Sequence, residues 1–268
     1  MPREEINLNI DVSVLVVHGR EVKLSFPKCE VFIDVEQNEE DYSQELEPVR
    51  GFIEIEIRDK NGIVIREGRH KMHSFVNNVL RILEGWARAV GGMATGSGGL
   101  VRSTTVVNVA GSSVTAYIEW YDPAGNTRGG GNSMGLLAGD NVDSYGIVVG
   151  SGTSPVTLDS YALASKISHG TSEGQLDYDA MAAEELGLDT SVSPPVYRCR
   201  FLRGFKNLSG GDIVINEVAL IARCYWKDYG AVRNDVTFMI ARDVLPISYT
   251  VPAGGSATVV VVVEVVLG

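Results

Sequence analysis

Apolar and polar residues alternate one for one along much of this chain, the period of a β-strand with one buried face. Over 6–17, Ile6, Leu8, Ile10, Val12, Val14 and Val16 fall on one side, and Asn7, Asn9, Asp11 and Ser13 on the other. His18-Gly19 turns the chain into 21–26, and Val31, Ile33 and Val35 extend a further strand. Over 52–58, Ile53, Ile55 and Ile57 oppose Phe52, Glu54, Glu56 and Arg58. Asp59-Lys60-Asn61-Gly62 follows, where Asn-Gly supplies the positive φ values of a primed hairpin turn, and 63–67 returns. Strands are predicted at 101–109 and 114–121 about Gly111-Ser112, and Asp122-Pro123-Ala124-Gly125-Asn126 then reads as a turn. The glycine-rich stretch 129–140 reads as a surface loop. Over 196–207, Tyr197, Cys199 and Phe201 alternate with Arg198, Arg200 and Leu202; over 214–226, Val218, Leu220 and Ala222 share a face. Strands at 236–242 and 257–266 complete the set, joined through Pro246 and the turn Pro252-Ala253-Gly254-Gly255.

A helical period is rarer. Phe75, Val79, Ile82, Leu83 and Trp86 form one apolar stripe, which predicts a helix over 74–90, capped by Ser74 and ended by Gly91-Gly92. The stretch 144–170 reads as a buried strand over 145–149, a turn over 150–155, and a short helix carrying Leu163 and Ile167, capped by Thr157 or Asp159 and closed by Gly170. Met181, Ala182, Ala183 and Glu184 predict a second short helix within 177–186.

The expected fold is therefore mainly β: an antiparallel β-sandwich, jelly-roll-like, with one long helix (about 74–90) and one or two short helices. Residues 1–50 are expected to form N-terminal strands with an acidic loop, packed on or exchanged with neighbouring copies. Residues 51–268 are expected to form the main β-sandwich domain.

Charge narrows the partners. The 268 residues carry a formal net charge of -11, and the basic residues are scattered. Such a field repels phosphate backbones, which argues against a nucleic-acid partner. The apolar run 257–267 is too short to cross a bilayer and contains Glu264, so no membrane partner is expected. The first ten residues are charged and lack the apolar centre of a signal peptide, which predicts synthesis in a cytoplasm. Cys29, Cys199 and Cys224 are odd in number and far apart. They read as reduced thiols, although a bridge between Cys199 and Cys224 stays open at this stage.

Candidate chemistry is sparse. Gly131-Asn132-Ser133-Met134-Gly135 fits G-x-S-x-G, but a nucleophile elbow needs a strand before it, a helix after it and a late histidine, and His169 is the one histidine downstream. Gly150-x-Gly152 follows a strand without the repeated βαβ units of a dinucleotide fold. His70 and His73 lack a third metal ligand, and the acidic run 34–47 lacks calcium-loop spacing. Asn207-Leu208-Ser209 is a glycosylation acceptor only in a secretory setting. No catalytic residue, cofactor or metal site is assigned.

The order of short motifs is more informative. It runs Gly62-Ile63-Val64-Ile65-Arg66-Glu67, then His73-Ser74-Phe75-Val76-Asn77-Asn78, then Val148-Val149-Gly150-Ser151-Gly152-Thr153 and Leu158-Asp159-Ser160-Tyr161-Ala162-Leu163. Ile215-Asn216-Glu217-Val218-Ala219-Leu220, Ile240-Ala241-Arg242-Asp243-Val244 and Val251-Pro252-Ala253-Gly254 follow. From about residue 51 to the end, this resembles virion structural proteins of tailed viruses of bacteria and archaea. The resemblance implies a subunit of a tail or capsid shell located in the virion, acting without catalysis, whose partners are copies of itself and other virion proteins. Two rival functions are a carbohydrate- or receptor-binding module, with Trp120, Tyr121, Trp226 and Tyr229 as platforms for a glycan, and an esterase using Ser133.

Overall fold

The computed structural model describes residues 15–17, 20–22, 49–72, 74–87, 100–121, 132–228 and 231–267. Chain contacts divide the protein into two compact units, Met1–Glu45 and Leu46–Gly268. In the first, β1 (Leu15–Val17) pairs antiparallel with β2 (Arg20–Val22). The expected strand at 31–35 and the acidic run 34–47 lie outside the described residues.

The second unit is mainly β, and its ladders are antiparallel. One sheet has six strands: β3 (Val49–Arg58), β4 (Val64–Met72), β9 (Asp177–Tyr178), β10 (Ala182–Asp189), β11 (Val196–Lys206) and β14 (Ser256–Val266). Their order is β10-β11-β14-β3-β4, with β9 also pairing β11. A four-stranded sheet contains β7 (Asn132–Gly135), β8 (Gly146–Gly150), β12 (Ile213–Asp228) and β13 (Ala231–Val251). Here β12 pairs β13 along one side and β7 and β8 along the other. A hairpin of β5 (Leu100–Val107) and β6 (Ser113–Tyr121) stands apart as a third sheet.

Alternation explains the core. Ile53, Ile55 and Ile57 of β3 and Val259 and Val261 of β14 point into one apolar cluster. Ile147, Val148 and Val149 of β8 and Val218 to Ile221 of β12 belong to the same cluster. Each such side chain contributes about 1.5–3 kcal/mol when removed from water. On the other face of β3, Glu54 forms ion pairs with Arg69 and Arg200, and Glu56 with Arg58. One strand thus separates oil from charge at every second residue.

Helical expectations fare worse. The long helix is α1, Asn77–Ala87, only eleven residues. Its expected first turn is extended instead: Val76 donates to the Ile240 carbonyl, the Arg242 amide donates to the Ser74 carbonyl, and Phe75 bridges Ala241. Pairing with β13 outweighs capping by Ser74. Leu83, placed on the apolar stripe, is 54 % exposed. Residues 88–90 lie outside the described residues.

Neither short helix exists. Within 157–170 the chain makes a turn at Thr157–Ser160 and then runs back along β8, with Ser151 donating to the Ser165 carbonyl and Ile167 to that of Val149. The stretch 177–186 becomes β9 and β10, because the open edge of β11 offers ladder partners along its length. The loop expected at 129–140 contains β7. Pro246 does not divide two strands. It lies inside β13, in the irregular register between Val244 and Tyr249, where no ladder amide is required of it. At the Asp59 turn, positive φ falls on Gly62 alone (79°), and the Asp59 carboxylate accepts the amides of Asn61 and Ile63 at 2.9 Å each.

Candidate functional site

The longest irregular stretch of the second unit, 151–176, and the adjoining 136–145 are held by two buried charged centres. Glu217 sits on β12 opposite Gly150, fully buried. Its Oε1 accepts the amides of Gly152 at 3.0 Å and Ser165 at 2.8 Å. Its Oε2 accepts the Ala164 amide at 3.0 Å and Arg242 Nε at 2.7 Å. Arg242, on β13, then donates through Nη2 to the Ser154 carbonyl at 2.9 Å. Isolated, the carboxylate would be expelled from such a site; four donors make it tolerable there. The same crowding accounts for Gly150 and Gly152, since a Cβ at either would collide with the Glu217 carboxylate. Their spacing serves this contact.

The second centre is Arg203 of β11, also fully buried. It donates to five backbone carbonyls: Asp179 at 2.9 Å, Tyr145 at 3.2 Å, Ile147 at 3.0 Å, Gly139 at 3.2 Å and Val142 at 2.5 Å. Its guanidinium lies 4.8 Å from the centre of the Tyr178 ring. Burial pulls the pKa of Arg203 below its ordinary value, against the opposing influence of Tyr178 and Asp143. Tyr178 donates to the Ile167 carbonyl at 2.5 Å, and burial pushes its phenol pKa well above the usual value.

A third group stands nearby. Asp143 accepts the His169 amide at 2.8 Å and pairs with Lys166 at 3.0 Å. Burial alone would raise its pKa, but these donors hold it below the ordinary carboxylate value. His169 Nδ1 accepts the Tyr178 amide at 3.3 Å and lies 3.6 Å from Asp177. The geometry ties loops to sheets: the carboxylate of Glu217 and the guanidinium of Arg203 are engaged by the chain's own backbone.

Motifs singled out in the sequence fall elsewhere. Ser133 lies inside β7, opposite Tyr225 of β12, in straight strand and not at the sharp strand-to-helix turn of a nucleophile elbow. His70 is bonded to the Tyr249 hydroxyl at 2.7 Å, and His73 lies outside the described residues. Asn207 is fully buried, with Nδ2 donating to the carbonyls of Gly211 at 2.8 Å and Val251 at 2.9 Å. Cys199 and Cys224 are not disulfide-bonded and lie in different sheets; Cys29 is outside the described residues. Trp120 and Trp226 lie on β6 and β12, but their side chains, with those of Tyr121 and Tyr229, are outside the described residues.

Two clefts are formed among the described residues. One, of about 500 Å³, lies on the outer face of the six-stranded sheet, where Glu54, Arg69, Glu184 and Arg200 pair with one another. The other, of about 280 Å³, lies between β4 and β13 and is lined by Arg69, His70, Lys71 and Asp243. Among the described residues no group of three or more His, Cys, Asp and Glu side chains is placed to hold a metal ion.

The most distinctive surface is apolar. Cross-strand register aligns Leu188, Tyr197, Val265 and Val49 in one row over four strands. Their exposures are 55 %, 44 %, 38 % and 47 %, and Leu186 beside them is 60 % exposed. The row shares a sheet face with the core residues Ile53 and Val261 but lies beyond the cluster they enter. Arg203 and Glu217 had only a weak sequence signal: Arg203 is one of several basic residues in β11, and Glu217 stands in a largely apolar stretch of β12 with nothing local to mark its partners. The apolar row required register, which the sequence does not state.

No family model, no curated protein and no solved structure matches this chain.

Proposed function

We propose that this protein is a structural subunit of a virus particle, in the tail or the capsid shell, working by self-assembly and not by catalysis. Its partners are copies of itself and other virion proteins. In this reading the two larger sheets form a β-sandwich whose loops are fixed from within by Glu217 and Arg203. The observation that carries the assembly reading is the apolar row Leu188-Tyr197-Val265-Val49, exposed at one end of the six-stranded sheet. Contiguous exposed apolar surface costs solubility in a solitary protein and is the ordinary material of an interface. The particle itself is suggested by the order of motifs from Gly62 to Gly254.

The test is the mass of purified full-length protein by light scattering across concentration, with negative-stain images of the same samples. A closed ring, a trimer or a tube is expected. A monomer at every concentration overturns the proposal.

A further inference from the structure

We propose that β10 is a self-pairing edge, through which two copies join their six-stranded sheets antiparallel about a twofold axis at Leu186. The inference rests on the assembly reading and specifies its contact.

β10 ends the sheet, so among the described residues its outer backbone donors and acceptors have no partner strand in it. It contains no proline, lysine or arginine. The opposite edge, β4, displays Arg66, Arg69 and Lys71, a charge placement that discourages strand addition. β10 has Glu184, Glu185 and Asp189 and a register shift between Ala183 and Glu185, but it has no cation of its own to repel a strand.

The chemistry of β10 suits a copy of itself. Its acids already have cations: Arg198 binds Glu185 at 3.1 Å and Asp189 at 3.0 Å, and Arg200 binds Glu184 at 3.0 Å. A twofold at Leu186 sets Leu186 against Leu186 of the second copy and Glu185 against its Gly187. No acid then directly faces its own counterpart. An axis at Gly187 would set Glu185 against Asp189, a like-charge pair, and is disfavoured. An axis normal to the sheet keeps faces in common, so the apolar rows of both copies lie on one face, on either side of the Leu186 pair. Such an interface is isologous and joins copies in pairs, so a larger assembly builds on it through a second contact.

In a Cys199→Ser background, which removes the thiol across from residue 186, Leu186→Cys is oxidised in the full-length protein. Directly opposed strand residues lie about 4.5–5.5 Å apart at Cα, within disulfide range. A disulfide-linked dimer is expected, while Leu137→Cys, 52 % exposed on another surface, stays at the level of the Cys199→Ser parent. Leu186→Asp, checked for fold by circular dichroism, is expected to raise the concentration needed for assembly at least about tenfold, equivalent to about 1.4 kcal/mol. Cross-linking of Leu186→Cys no greater than that of Leu137→Cys overturns the twofold. So does a folded Leu186→Asp that assembles like wild type, and that result leaves the assembly reading standing. A wild-type monomer throughout overturns both.

Discussion

Glu217 and Arg242 meet at 2.7 Å between neighbouring strands of the four-stranded sheet, with side chains 0 % and 4 % exposed. The pair holds a loop as much as a sheet, because the carboxylate also gathers the amides of Gly152, Ala164 and Ser165. Breaking a buried pair from one side strands the other charge. Glu217→Gln is expected to lower unfolding stability by about 3–5 kcal/mol in urea titrations. Amide exchange at the three loop residues should accelerate first. The double variant Glu217→Gln/Arg242→Met should lose less than the sum of the single losses.

Arg203 presents its donors to five carbonyls at once. Lysine cannot reproduce that fork, and methionine leaves every carbonyl unanswered. Arg203→Met is expected to cost at least about 3 kcal/mol, since each orphaned buried group costs about 1–3 kcal/mol. Arg203→Lys should fall between it and wild type. Chemical denaturation monitored by tryptophan fluorescence ranks the three.

Gly152→Ala should destabilise the fold, because the new methyl group meets the Glu217 carboxylate. Gly210→Ala is the matched control: nothing lies within 4 Å of its Cβ position. The expected result is a clear fall in Tm for the first and a change within about 0.5 kcal/mol for the second.

Stability should fall in acid through several groups, His70 and Glu264 among them. Burial lowers the pKa of His70 below 6.5 in the folded protein. The unfolded chain then takes up the proton more readily, so stability present above pH 6.5 declines as pH falls through that value. For Glu264, burial acts to raise the pKa, but Arg198 and Arg50 outweigh it and hold the carboxyl below 4.5. Its contribution is present above pH 4.5 and disappears as pH drops through the folded-state value. Urea midpoints from pH 8 to 3 should show both declines, and Glu264→Gln should shrink the lower one, leaving the part due to carboxylates such as Asp143 and Asp235.

The strands with strict alternation or dense β-branched residues were legible in the sequence. Ile53, Ile55 and Ile57 needed only a period of two and one buried face, whereas the run Ile147-Val148-Val149 and Val259 to Val262 of β14, buried on both faces, needed only their β-branched density. The two short helices failed for a shared reason. Leu163 and Ile167 are spaced four apart, but the amides of Ala164 and Ser165 are claimed by Glu217, more than fifty residues away. Ala182, Ala183 and Glu184 favour helix locally, yet the uncovered side of β11 is the stronger partner. The candidate surface was hidden because Leu188 and Val49 become neighbours only through two intervening strands.

Asn207 brings a consequence for production. Its side-chain amide clamps the β11–β12 turn to the end of β13, while its backbone engages Gly254 and Gly255. An oligosaccharyltransferase in an endoplasmic reticulum would meet Asn207-Leu208-Ser209 before that clamp closes and attach a sugar where the native fold has no room. Heterologous yield should therefore be poor in secreting insect or mammalian cells, and Ser209→Ala would not repair it cleanly, because the Ser209 hydroxyl itself donates to Asn207 at 2.7 Å.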